Sequence, residues 1–208
     1  MALTCLSTFG IVLLAIPEAN SKLKLVSQIV VNGPFFLMHN QLVSVPLPYT
    51  QAKYFNGVYA LHENTLFKLN STLNYTFPFK VDSFAISELG QIATNGSHLY
   101  IFRDSIGAML PLNPMELIID LYLDNNLLYI AFPTRVRVYR NLTLIQDYSP
   151  LQPLKITLWK NQLVVASKSN CIIFKGLERK ILPENCLEVM ADEFLFVRGA
   201  EAVNVFRG

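Results

Sequence analysis

Histidine is the residue best suited to hold a metal or shuttle a proton, and this chain has three: His39, His62 and His98. None forms an H-x-H or H-x-x-x-H pair, and each falls beside a turn or a strand end, so their similar placement reads as repeat geometry. Cysteines are also three, Cys5, Cys171 and Cys186, with no C-x-x-C spacing. An odd count argues against a full disulfide framework, and without paired Cys spacing a structural zinc site is not expected. Cys171 and Cys186 could pair across neighbouring strands, but buried thiols are the expectation. The carboxylates group locally as Asp82 and Glu88, Asp120 and Asp124, Glu184 and Glu188, and Asp192 and Glu193. A glycosidase needs two carboxylates opposed across a site, which neighbours in sequence do not establish. No G-x-S-x-G, G-x-G-x-x-G or Walker loop occurs, so neither a nucleophile elbow nor a phosphate cradle is signalled. The expectation is no catalytic, metal-binding or cofactor-binding residue. Four N-x-S/T triplets begin at Asn70, Asn74, Asn95 and Asn141. They read as turn asparagines, and become glycan acceptors if the chain meets a glycosylating compartment.

Composition narrows the setting. Hydrophobic residues make up 52% of the 208 residues and charged residues only 15%, against about 25% charged in an average domain. That excludes disorder, which needs high charge and low hydrophobicity. It implies either a large β-rich interior or contact surface hidden in an assembly. The net charge is +2 with scattered Lys and Arg, whereas nucleic-acid binders carry a basic stripe. The nearest cluster is Arg135, Arg137 and Arg140, of which the first two share a strand face. It reads as a solvated face, with a phosphate or acidic-partner contact as the alternative. No nucleic-acid partner is expected. Residues 1–16 are apolar but have no Lys or Arg before Lys22, and polar or small residues interrupt them. They are shorter than the roughly 20 residues of a membrane span. Two strands, Leu3–Phe9 and Ile11–Ile16, are expected there, with a retained signal or anchor segment as the alternative.

The elements that would position any site follow one rhythm. Asn40-Gln41, Asn56-Gly57, Asn95-Gly96-Ser97-His98, Asp124-Asn125-Asn126, Asn161-Gln162 and Asp192-Glu193 are each followed at once by a short aromatic-aliphatic run. Asn, Asp and Gly tolerate the positive φ that tight hairpins require, and the apolar runs have strand length rather than helix length. A second strand follows most of them, as at Thr65–Leu69, Arg135–Arg140, Cys171–Lys175 and Ala202–Phe206. Prolines 78, 111, 114, 150, 153 and 183 sit near the junctions, where a residue that cannot donate to a ladder is tolerated.

The rhythm divides the chain into six units: Gly10–Pro48, Ala52–Phe79, Ser83–Leu112, Leu117–Ser149, Lys155–Leu182 and Cys186–Gly208. The expected fold is an all-β propeller of about six four-stranded blades in a single domain, residues 1–208. The sixth unit is one strand short, and Leu3–Phe9 is expected to complete it. Such closure joins the chain ends and removes open sheet edges. Seven blades, by splitting the first unit, and a β-sandwich are the alternatives.

The repeat resembles β-propellers across nearly the whole chain, as a divergent member. The Trp-Asp, Gly-Gly and S-x-D-x-G-x-T-W signatures of named propeller families are missing, and Trp159 is the only tryptophan. In size, low charge, degenerate repeats and Leu/Ile/Tyr-rich strands the chain is similar in general character to structural proteins of archaeal viruses, nearest to the tail nozzle protein of spindle-shaped viruses. That resemblance implies a non-enzymatic virion component that forms an oligomeric ring and contacts other assembly subunits. A secreted or cell-surface propeller binding glycans or proteins is the second expectation. A propeller hydrolase is the third, and it would need carboxylates from different blades at the channel mouth. No cofactor and no membrane span are expected.

Overall fold

Runs such as Leu-Leu-Tyr-Ile-Ala-Phe at 127–132 and Gln-Leu-Val-Val-Ala-Ser at 162–167 are apolar without alternation. A strand reads this way when both its faces are covered. The computed structural model describes residues 23–30, 35–72, 74–88, 90–96, 98–103, 106–109, 116–149, 151–167, 169–182 and 186–208. Among these residues it contains strands and turns and no helix.

In chain order, β1 (Lys24–Ile29) is followed by the hairpin β2 (Phe35–Met38) and β3 (Gln41–Ser44). Four meanders come next. They are β4 (Gln51–Tyr54), β5 (Val58–His62), β6 (Thr65–Lys68), β7 (Asn74–Thr76); β8 (Ser83–Ser87), β9 (Gly90–Asn95), β10 (His98–Arg103), β11 (Ile106–Met109); β12 (Asp120–Asp124), β13 (Leu127–Phe132), β14 (Arg135–Arg140), β15 (Thr143–Tyr148); and β16 (Pro153–Trp159), β17 (Gln162–Ser167), β18 (Cys171–Lys175), β19 (Glu178–Leu182). The chain ends with β20 (Glu188–Ala191), β21 (Leu195–Arg198) and β22 (Val203–Arg207). Each meander is one antiparallel sheet, and the last sheet runs β20-β21-β22-β1. Among the described residues the architecture is therefore a β-propeller with five four-stranded blades and one two-stranded sheet, β2-β3.

The expectation of about six four-stranded blades is corrected on that point. Two prolines, Pro46 and Pro48, follow within four residues of the end of β3, and neither can donate to a ladder. Another strand of the first unit, β1, is taken by the last blade. It pairs antiparallel with β22 from Lys24 opposite Arg207 to Ile29 opposite Val203. The closure itself was expected, but Lys24–Ile29 supplies it; Leu3–Phe9 and Ile11–Ile16 lie outside the described residues.

The turn chemistry follows from the residues. Asn40, Asn56, Asn125 and Asn161, each at a turn between strands, all have φ between 48° and 60°, the region Asn tolerates best after Gly. At Gly57 φ is 131°, which side-chain-bearing residues rarely adopt.

Six apolar clusters fill the six interfaces between successive sheets. Phe77, Phe84 and Phe102 pack between the β4–β7 and β8–β11 blades, with Phe77 edge-on to Phe102 at 4.4 Å. Leu99, Leu121, Ile130 and Phe132 fill the next interface; Val136, Val165 and Phe174 the one after; and Trp159, Val164, Leu195 and Phe206 the fourth. Phe35 joins Phe196, Val203 and Val205 on one side of the two-stranded sheet, and Phe36 joins Ala52 and Ala60 on the other. Full burial of one such side chain contributes about 1.5–3 kcal/mol. These interfaces account for much of the low charge without any assembly contact. Cys171 and Cys186 are buried in the fourth interface and form no disulfide.

The two-stranded sheet is also latched by polar groups. The Asn40 side-chain carbonyl accepts from the Glu193 and Phe194 amides at 3.0 and 3.4 Å. Trp159 Nε1 donates to the Glu193 carbonyl at 3.1 Å, so the β20–β21 turn holds the neighbours on both its sides.

Candidate functional site

The innermost strand of each sheet borders the propeller axis. Four of these strands carry a charged residue within their first three positions: Lys53 on β4, Asp120 on β12, Lys155 on β16 and Glu188 on β20. All four line one cavity of about 250 Å³. Phe35, Phe36, Val189 and Met190 supply an apolar wall, and Gln51, Tyr122 and Thr157 add polar groups.

Asp120 is a junction of three blades. Ser83 Oγ on β8 donates to its Oδ1 at 3.1 Å, the Ile156 amide on β16 donates to its Oδ2 at 3.0 Å, and Lys155 Nζ lies 3.5 Å from Oδ1. Its side chain is almost fully buried, and a buried carboxylate is tolerated only with such partners. Glu188 is held by Arg198 of its own blade at 3.3 Å. Burial pushes the Glu188 carboxyl above its ordinary value, and the cations Lys155 and Arg198 offset part of that.

Lys53 reaches from β4 to the inner strands β8 and β12. Its ammonium donates to the Leu121 carbonyl on β12 at 3.3 Å and stands 5.4 Å from the Phe84 ring centre on β8. The side chain keeps some accessible surface, but that surface is cavity wall. Burial therefore pulls its pKa down, Lys155 adds to this, and Asp120 and Glu188 partly oppose it. Tyr122 is pushed up by burial and by Asp124.

Histidines do not gather. His39 packs edge-on to Tyr54 at 4.7 Å, His62 Nδ1 lies 3.2 Å from the Pro48 carbonyl, and His98 is exposed at the start of β10. Among the described residues, no three His, Cys, Asp or Glu side chains are grouped to hold a metal. Asp82 caps a turn by accepting from the Gly96 amide at 2.8 Å. Glu184 lies outside the described residues. Arg137 is bound to Asp147 at 3.0 Å, and Glu116 lies 3.6 and 3.8 Å from Arg135 and Arg137. Asn70, Asn74 and Asn141 are exposed at the β6–β7 and β14–β15 hairpins, on one face of the propeller, whereas Asn95 sits half-buried at the β9–β10 turn on the other.

Local sequence groupings named Asp120 and Glu188 but set Asp120 beside Asp124, at the other end of β12, and they did not include Lys53 or Lys155. A usable signal was present: a charged residue opens the inner strand in four of the units.

The outer rim has the opposite character. Leu142, Leu144 and Ile145 are 41–47% exposed at the start of the outermost strand β15. A bulge lies between Val138 and Tyr139 in the facing strand register. On the next blade Leu177, 87% exposed, tips the β18–β19 hairpin and Ile181 is exposed on β19.

No known protein family matches the sequence, and no curated protein is significantly similar to it. The fold is similar to solved propellers. The WD40 β-propeller domain of Doa1 superposes with a TM-score of 0.62 at 12% identity, covering 76% of this chain and 63% of that one. The computationally designed Ika8 protein gives 0.57 at 10% identity, covering 95% and 71%. BBS1N, in a complex with ARL6DN, gives 0.55 at 12% identity, covering 67% and 54%. This chain thus spans less than two thirds of the Doa1 and BBS1N chains. At identities this low, the superpositions show the β-propeller fold alone.

Proposed function

We propose that this chain is a non-catalytic protein-interaction module that associates through its outer rim with copies of itself and with other assembly subunits. The observation that carries this reading is the aliphatic start of β15. An outermost strand exposes unpaired backbone groups and is normally protected by charge, yet here β15 opens with exposed Leu144 and Ile145, and Leu142 is exposed in the turn before it. A sheet edge of this kind takes a partner by strand addition or apolar contact. The propeller fold supports the reading, since BBS1N is itself seen in a complex.

The finer proposal is a ring-forming virion or tail subunit, located in the particle, and it rests on composition and general character. The secreted or cell-surface alternative is favoured by one observation, the exposure of three sequon asparagines on one face. Hydrolysis is disfavoured because both Asp120 carboxylate oxygens are committed to blade-to-blade bonds. Neither nucleic acid nor membrane enters this proposal: Arg135 and Arg137 are paired with carboxylates, and no described helix is long and apolar enough to cross a bilayer.

Sedimentation velocity tests the proposal. The wild-type chain is expected to associate at micromolar concentration through an interface of at least about 1,000 Å². The double variant Leu144→Glu/Ile145→Lys is expected to be a folded monomer. A wild-type monomer at those concentrations, or a double variant that associates equally, refutes it.

A further inference from the structure

Lys53, Asp120, Lys155 and Glu188 line the axial cavity, and counting Arg198, which bonds Glu188 without lining the cavity, this group has three cations to two carboxylates. Asp120 is matched to Lys155, and Glu188 to Arg198. Lys53 has no carboxylate within ion-pair distance among the described residues, and its hydrogen bond there is to the Leu121 carbonyl. An ammonium has three donors, so Lys53 has donors left over. An enclosed charge without a counter-ion is costly, and a protein relieves that cost by deprotonation or by an anion. The depressed pKa of Lys53 reports the same strain.

The cavity dictates what kind of anion would fit. At about 250 Å³ it is smaller than the roughly 300–1,000 Å³ of drug-sized sites. One wall is apolar, from Phe35, Phe36, Val189 and Met190. A single surplus positive charge calls for a single negative charge. A polyanion would meet the Asp120 and Glu188 carboxylates as well. We propose that the channel binds a small monocarboxylate, its carboxylate on the Lys53 ammonium and its short aliphatic or aromatic tail against the Phe35, Phe36, Val189 and Met190 wall. Lys53 is the ligand-holding residue. Lys155 adds longer-range attraction while remaining bound to Asp120. The site is independent of the rim proposed as the assembly surface.

Isothermal titration calorimetry with sodium benzoate, against its neutral isostere benzamide at matched ionic strength, tests this. Benzoate is expected to bind saturably with one site per chain, and benzamide at least about tenfold more weakly, the value of one charged hydrogen bond. Lys53→Met is expected to weaken benzoate binding by about the same factor, and Lys53→Arg to retain part of it. Absence of saturable benzoate binding up to about 10 mM, the weak end for so small a ligand, overturns the proposal. Equal affinities for benzoate and benzamide also overturn it, and that comparison needs only the wild-type protein. Binding unchanged in a folded Lys53→Met variant does so as well. Sedimentation of the same samples reports separately on rim association.

Discussion

The axis and the rim of this propeller reverse the usual placement of polarity. Lys53, Asp120, Lys155 and Glu188 crowd the centre, while Leu142, Leu144, Ile145, Leu177 and Ile181 stand at the periphery. The contrast separates two jobs. The inner charges tie blades that meet mostly through apolar faces: Asp120 alone joins β8, β12 and β16. The outer aliphatics tie nothing within the chain. The neighbouring edge β19 is mixed: beside the exposed Ile181 it carries Glu178, Arg179 and Lys180, charges that discourage edge-to-edge pairing. On β15 the corresponding stretch is Thr143, Leu144 and Ile145.

The sharpest way to break the comparison is at Asp120. Asp120→Ala leaves the Lys155 ammonium and the Ile156 amide without their buried acceptor, and should cost about 3–5 kcal/mol in chemical denaturation. A loss near zero would mean that the axial charges are ornamental. Asn40→Ala removes the acceptor for two amides of the β20–β21 turn and places Ala at a φ of 59°. The expected loss is about 1–2 kcal/mol. At the rim, Leu144→Glu/Ile145→Lys should change monomer stability by no more than about 0.5 kcal/mol. A larger loss would show that these side chains serve the fold.

The smallest effect is a pH dependence. Glu188 has a raised carboxyl pKa, so the folded chain holds its proton longer than the unfolded chain does. Its contribution to stability is present below the unfolded value of about 4.3 and falls as pH rises through the folded value. Thermal melts across that window should flatten in Glu188→Gln. Lys53 works in the reverse direction: with its pKa lowered, the folded chain loses the proton first, and stability gains as pH climbs from the folded value toward about 10.4.

Much of this architecture was legible in the residues. The asparagine turns named the hairpins, because positive φ is a local demand met by few side chains: Arg135–Arg140 and Cys171–Lys175 are strands at the bounds their flanking turns set. Blade composition was less legible. Lys24–Ile29 has no strict alternation and no turn asparagine to announce it, and which edge it completes is decided by the open side of β22, far along the chain. The two-stranded sheet was hidden for a related reason, since a propeller rhythm counts turns rather than strands per blade. The axial site was nearly invisible. Its successive members lie 33 to 67 positions apart, and sequence neighbours such as Asp124 belong to the opposite end of the same strand.

The comparison between axis and rim is tested most directly by hydrogen exchange measured at protein concentrations below and above association. The account predicts that protection rises with concentration at residues 143–148, where partners would cover the β15 edge, while the inner strands exchange alike at both concentrations. A concentration-dependent gain confined to the inner strands, or no gain at 143–148 once the chain has associated, would contradict it.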